Sequence, residues 1–262
     1  APAVWAGLCD VGATAREACG NTVRNITASS TAGIDPDELF DVSPYAQTAY
    51  EYLIRNPICQ DMGRKFKIAF SSSDKDSAYT FLHDVGFIPR IKDGERGFKV
   101  VIGGGLGAQS MMAQDAYEFL PETQVIPLLE AALRVFDRYG ERTRRNKARL
   151  KYLIKDIGLA KYLELIDEER TANKSKEFQV DIAIIESGEP THNNIAPQVE
   201  IQDQQRYDDW CRTNVFEQKQ TGYYAVALKV TKGDIKPDQA RIIAAMVQNY
   251  ASEDMRITMN QG

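Results

Sequence analysis

The chain has 262 residues, 43% of them hydrophobic and 26% charged, with a formal net charge of −5 at pH 7. That length suits one large domain or two small ones with a sizeable core, and the mixed charges exclude wholesale disorder. No apolar run approaches the ~20 residues that span a bilayer, and no secretory signal is visible. A cytoplasmic protein without a membrane partner is expected, and the acidic balance argues against a general nucleic-acid binder.

From Ser43 a helix start is legible, with Ser43 as N-cap, Pro44 at the first helical position, and Ala46, Ala49, Tyr50 and Leu53 on one stripe. Asn56-Pro57 stops it. Residues 64–70 (RKFKIAF) alternate like a half-buried strand, so Lys65 and Lys67 share the face opposite Phe66, Ile68 and Phe70. A short amphipathic helix is expected over 76–83, then a strand over 97–102 that runs into Gly103-Gly104-Gly105. The spacing of Val125, Leu129, Ala132, Leu133 and Phe136 predicts a helix within 121–139. Further helices are expected over 142–157 and 159–169, punctuated by Gly140 and Gly158.

The polar stretch 168–177 reads as a linker. Beyond it strands are expected at 178–185, 215–218 and 223–230, a helix at 237–250 and a strand at 255–259. Strand, strand, helix, strand is half of a ferredoxin-like sandwich.

Candidate chemistry is cationic. Arg142, Arg144, Arg145, Lys147, Arg149 and Lys151 crowd ten residues, and on a helix Arg142, Arg145 and Arg149 would share a face. Such a cluster needs anions, whether neighbouring carboxylates, nucleic acid or a polyanionic ligand. The Lys65/Lys67 pair can hold a small anion and deliver protons to it, or be an ordinary exposed strand face. The glycine turn 103–107 lets backbone approach a ligand closely, or is a tight packing turn; it matches neither a dinucleotide fingerprint nor a phosphate loop. In the polar segment 16–27, Arg24 between Asn21 and Asn25 offers a forked donor plus amides for an oxyanion, or forms a capped surface turn. Cys9, Cys19, Cys59 and Cys211 lie too far apart for a local metal site, and His83 and His192 read as bystanders.

The runs ACGNTVRNIT (18–27), RKFK (64–67), GFKVVIGGGLG (97–107), FLP (119–121) and GERTRRNKARLKYLI (140–154), followed by GYYAVALKVTKGDI and MRITMNQ, resemble the sirohaem-containing nitrite/sulfite reductases in matching order. The resemblance implies an α+β fold, with a mixed-sheet sirohaem-binding domain in 1–172 and a ferredoxin-like half-domain in 178–262. It implies six-electron reduction of sulfite, or alternatively nitrite, at sirohaem beside a 4Fe–4S cluster, fed by ferredoxin or a flavoprotein. Arg24, Lys65 and Lys67 match the family's catalytic anion-holding and proton-supplying residues. Asn21, Asn25, Arg64, Gly103, Gly104, Gly105, Arg142, Arg145 and Arg149 are candidate sirohaem-side residues. Lys65-Phe66-Lys67 is similar to the sulfite-reducing pattern, whereas many nitrite reductases carry Asn at the position of Lys67. The family's paired cluster cysteines do not occur here, so the cluster ligands are expected outside this chain. The sequence then reads as an interior excerpt that does not catalyse by itself. A cofactor-free anion- or RNA-binding module is the rival expectation.

Overall fold

A mixed five-stranded sheet organises the computed structural model, which describes residues 2–14, 17–173, 176–184, 200–250 and 255–258. Its strands, in spatial as well as chain order, are β1 (Val23–Ala28), β2 (Phe66–Phe70), β3 (Val85–Lys92), β4 (Glu95–Ile102) and β5 (Gln114–Pro121). The first three run parallel and the last three antiparallel. Helix α1 (Pro2–Asp10) precedes the sheet and buries nothing. Four helices complete this part: α2 (Ser43–Leu53), α3 (Val125–Tyr139), α4 (Leu150–Ile157) and α5 (Leu159–Ala172). Among the described residues no helix is long and apolar enough to cross a membrane.

The alternation in β2 resolves as expected. Phe66, Ile68 and Phe70 are fully buried in one core with Phe87, Phe98, Val100 and Ile102 of the neighbouring strands and with the inner faces of α2 and α3. Phe98 is the hub, edge-on to Tyr45 at 5.0 Å, Phe40 at 5.5 Å, Phe87 at 5.7 Å and Phe70 at 5.9 Å. The opposite face is built from small residues: Ala69 pairs with Gly86, and Gly86 with Val101. A Cβ on Gly86 would sit 2.4 Å from Thr80 Cβ. The glycine therefore lets the 3₁₀ turn Thr80–Leu82 lie directly on the sheet, which brings the chain back into β3 beneath Lys67.

Several expected elements differ. No α-helix forms at 76–83: Asp76 and Tyr79 adopt left-handed backbone conformations, and the Asp76 carboxylate accepts the Thr80 N–H at 2.8 Å. Strands β3 and β5 were not anticipated. Pro89 argues against a central strand, but β2 pairs with β3 only as far as Phe87, so at Pro89 that edge has no strand partner to satisfy. The Asp93-Gly94 dipeptide, both residues at positive φ, closes the β3–β4 hairpin and was the available signal. The helix expected within 121–139 begins only at Val125, after the 3₁₀ turn Glu122–Gln124. The Ser43 side chain does not cap α2; instead the Asp41 carboxylate accepts the Ser43 N–H at 2.8 Å. Tyr45, Thr48, Ala49 and Leu53 form its buried stripe, and Tyr50 is exposed.

The expected linker begins inside α5, which continues to Ala172; residues 174–175 lie outside the described residues. No strand forms over 178–184. Phe178 instead rests edge-on against Tyr52 at 5.6 Å and donates its N–H to Thr123 O at 2.9 Å. Position 185 lies outside the described residues. The remaining part comprises α6 (Gln204–Asn214), an antiparallel pair β6 (Val215–Glu217) and β7 (Tyr224–Val226), and α7 (Pro237–Tyr250). Residues 255–258 form no strand, and Met259 lies outside the described residues. This part touches the first through the 30–38 loop: Lys219 N donates to Ile34 O at 3.0 Å, Gln220 to Gly33 O at 2.8 Å, and Arg256 to Ser30 O at 3.1 Å.

Replacing Gly86 by Ala is expected to destabilise the protein by about 1–3 kcal/mol, because Thr80 cannot retreat without lifting the turn off the sheet. Urea unfolding measures it; an unchanged midpoint would show that the turn is not pressed onto the strand.

Candidate functional site

The cations gather at the end of the sheet where β1 and β2 begin. Val23 pairs with Phe66 and Asn25 with Lys67, so Arg24 is the extra residue of a bulge in β1. A bulge re-aims the side chain it inserts. Arg24 and Asn25 are exposed, and Lys65 and Lys67 are half-buried. Arg64 and Arg145 close over Gly20, where a Cβ would lie 2.6 Å from Arg145 Nη2 and 3.0 Å from Arg64 Nη1. Asn21 Oδ1 accepts from Arg145 at 3.2 Å.

These groups act on one another electrostatically. Burial pushes Arg64, Lys65 and Lys67 below their ordinary values, and the neighbouring cations push further. Arg145, Arg149 and Arg24 act on Arg64; Arg24, Lys67, Arg149 and Arg64 act on Lys65; Arg149 and Arg24 act on Lys67. Among the described residues, the side chains of Arg24, Arg64, Lys65 and Lys67 make no hydrogen bond or ion pair.

The expected basic helix is not one. Only a 3₁₀ turn, Arg145–Lys147, precedes α4, so Arg142, Arg145 and Arg149 do not line a helical face. Arg142 is engaged by Asp137 and donates to Asp61 O at 3.2 Å, which anchors the loop rather than opening toward the cluster. Arg144 pairs with Glu141 at 2.7 Å. Arg145 and Arg149 join the cluster from the irregular segment. The glycine turn is a packing turn: a Cβ on Gly104 would lie 2.3 Å from Phe81 O, the Gly103 N–H goes to Asp84 O at 2.9 Å, and the Gly105 N–H to Met111 O at 2.9 Å. Those amides are therefore not ligand donors, and the turn's effect is to carry Arg149 Nη2 to within 3.0 Å of where a Gly105 Cβ would be.

Sequence reasoning missed Asp84 at this site and misjudged the places of Lys151 and His83. Asp84 is fully buried and receives Arg149 Nη2 at 2.8 and 3.0 Å and the Lys67 N–H at 2.9 Å. Lys151, almost fully buried, donates to the carbonyls of Gly105, Leu106 and Gln109 at 3.2, 3.0 and 2.6 Å and so fixes the loop after the glycine turn. His83, read as a bystander, bonds Tyr79 O through Nδ1 at 2.8 Å; burial lowers its pKa, and Lys67 and Arg149 add to that. Asp84 directly follows the helix expected over 76–83, and nothing local in the sequence pointed to its role. Arg16 and His192 lie outside the described residues.

The α+β domain thus presents converging cations at one end of its sheet, with Asp84 the carboxylate paired to Arg149 among them. A model of the nitrite and sulphite reductase 4Fe-4S domain matches residues 19–175, and a model of the nitrite/sulfite reductase ferredoxin-like half domain matches 216–262. The chain belongs to the nitrite and sulphite reductase family. It is 36% identical over 170 residues to sulfite reductase (ferredoxin) 1 of Mycolicibacterium paratuberculosis, covering 64% of this chain and 30% of that protein. It is 27% identical over 270 residues to the chloroplastic ferredoxin–nitrite reductase of Arabidopsis thaliana, covering 99% of this chain and 42% of that protein. The structure of the Mycobacterium tuberculosis NirA protein superposes with a TM-score of 0.71 at 28% identity, over 94% of this chain and 41% of that one. The chain thus spans 30% to 42% of the length of these relatives.

Sirohaem and a 4Fe–4S cluster are the cofactors of this family. The residues present fit the first. Unpaired cations and the buried Arg149 Nε, which has no hydrogen-bond partner, are donors suited to several carboxylates. They do not fit the second. Among the described residues no group of three His, Cys, Asp or Glu could hold a metal ion. Cys59 is buried with its thiol pushed up to about 12 by that burial, while Cys9 and Cys19 are exposed at separate places.

Lys65 carries a sign-definite consequence. Its ammonium is disfavoured in the folded state, so folding is penalised at pH values where the unfolded chain holds that proton, and the penalty fades as pH rises through the folded value. Lys65→Met is therefore expected to raise the melting temperature of the ligand-free protein at neutral pH, with a smaller gain in high salt. A lower melting temperature at low salt would contradict a repulsive cluster.

Proposed function

We propose that this chain forms the anion-holding and sirohaem-carboxylate wall of a sulfite reductase that reduces sulfite to sulfide with six electrons. The observation carrying the reading is the pair Lys65 and Lys67 on one strand face beside the bulged Arg24, with no described side-chain partner for any of the three. Each oxygen of sulfite leaves as water, so protons must reach the anion together with electrons. Two ammonium groups held below their ordinary pKa by burial and by neighbouring cations both attract a dianion and release protons to it more readily than free lysines. Arg24, always charged, orients the anion by its planar fork without competing as an acid. Arg64, Arg145 and Arg149, with the amides of Asn21 and Asn25, would receive the tetrapyrrole's carboxylates. Sirohaem, when bound, supplies the redox-active iron.

The donor set favours sulfite because two lysines suit a dianion better than a monoanion. Nitrite is the second reading, supported by the nitrite reductase match that spans 99% of this chain. Ferredoxin is the electron donor named for both relatives, and the same donor is proposed here, with a flavoprotein as the alternative. The division of the chain belongs to the same proposal. Helix α5 ends at Ala172, and the two family models fall on either side, although Phe178 and Val180 still rest on the first core.

The full-length protein is expected to carry haem-type visible absorption and iron. A colourless, iron-free product would favour a cofactor-free anion-binding module. In the same protein, Lys67→Asn is expected to move the ratio of sulfite to nitrite turnover toward nitrite by about tenfold, the worth of one charge-assisted hydrogen bond of ~1.5 kcal/mol. An unmoved ratio would defeat the substrate argument.

A further inference from the structure

We propose that Asp84 is the positioning residue of the anion site, a single carboxylate that sets Lys67 through its amide and Arg149 through its guanidinium. Its Oδ2 accepts the Lys67 N–H at 2.9 Å and Arg149 Nη2 at 2.8 Å, and its Oδ1 accepts the same nitrogen at 3.0 Å. Its own N–H donates to Lys67 O at 3.1 Å, and its carbonyl accepts the Gly103 N–H at 2.9 Å. The carboxylate is therefore locked to β2 and to the segment before α4, while the residue's backbone carbonyl ties it to the glycine turn. A carboxylate with no exposed surface is costly unless its lone pairs are used, and here its side-chain partner, Arg149, and its amide partner, Lys67, are both candidate site cations. Arg149 makes both bonds from Nη2, and its Nε stays buried without a hydrogen-bond partner. Asp84 thus holds one corner of the guanidinium and leaves other donors for an anion.

The charge has a second effect. The charged and titratable groups coupled to Lys67 are Arg24 from β1, Asp84 from the approach to β3 and Arg149 from the approach to α4, which act on it, and Lys65 just before β2 and His83, on which it acts. Asp84 is the single negative one. Burial, Arg149 and Arg24 disfavour the Lys67 ammonium, and Asp84 opposes them. Removing the carboxylate makes the pocket more positive while Lys67 stays protonated, yet makes Lys67 lose its proton at lower pH.

The inference rests on the reading of Lys67 as an anion-holding group. It is tested in the full-length protein with cofactors in place by titrating nitrite, a monoanion throughout the neutral and alkaline range, against wild type, Asp84→Asn and Lys67→Ala, with affinity measured by calorimetry at a series of pH values. The expected Asp84→Asn curve crosses that of wild type: affinity equal or tighter at the acidic end, and an alkaline fall displaced downward by about one pH unit. A carboxylate that merely supports the fold would weaken binding at every pH, and that uniform loss, or an unmoved profile, overturns the proposal. If Asp84→Asn does not fold, Asp84→Ser, smaller and equally uncharged, gives the same crossing or refutes it. Lys67→Ala separates the two levels: unchanged nitrite affinity refutes the underlying reading, whereas weakened affinity beside an unmoved Asp84→Asn profile refutes only the role of Asp84.

Discussion

A carboxylate cannot be buried alone, and that constraint organises the cationic end of this protein. Asp84 has no exposed surface, and the partners of its carboxylate come from positions 67 and 149, which are remote in sequence. Each must be in place before the group is satisfied, so the site and the sheet form together. The glycine turn closes on the same residue, its Gly103 N–H donating to the Asp84 carbonyl.

The arrangement opposes stability to function at one end of a single sheet. One face of β2 is locked into an aromatic core around Phe98, with Phe70 and Phe87 stacked at 4.7 Å. The edge beyond it gathers six cations, Arg24, Arg64, Lys65, Lys67, Arg145 and Arg149, around one carboxylate. Such a cluster repels itself, and the core supplies the rigidity that keeps it from splaying. Preorganised charge of this kind needs no rearrangement when a ligand enters.

A second buried carboxylate stands at the other ends of β1 and β2. Asp35 accepts from Ser72 at 2.7 Å and Ser73 at 3.3 Å. Burial pushes its carboxyl up, but those hydroxyls, the Asp37 amide and Thr31 hold it below the ordinary value. The loop so fixed receives Lys219, Gln220 and Arg256 from the C-terminal part, whose helices α6 and α7 bury no described residue. Trp210, Phe216, Tyr224 and Ile242 are exposed there. Backbone hydrogen bonds and the Lys219–Glu38 ion pair hold that part more than apolar packing does.

What the sequence determined by itself was whatever depends on neighbours along the chain. Alternation in 64–70 put Lys65 and Lys67 opposite the core, helical spacing located α3 and α7, and the ordered motifs identified the family. Tertiary structure decided whatever depends on partners far away. Six basic residues near 142–151 read as a helical face, but Asp137, Glu141, the Gln109 side chain and the Gly105–Gln109 carbonyls draw Arg142, Arg144, Lys147 and Lys151 into fixing loops, leaving Arg145 and Arg149 for the cluster. Pro89 is tolerated in β3 only because β2 stops short of it. Asp84 carries no local signal because nothing near it in sequence satisfies its charge; folding alone places Arg149 against it, and burial makes that pairing obligatory.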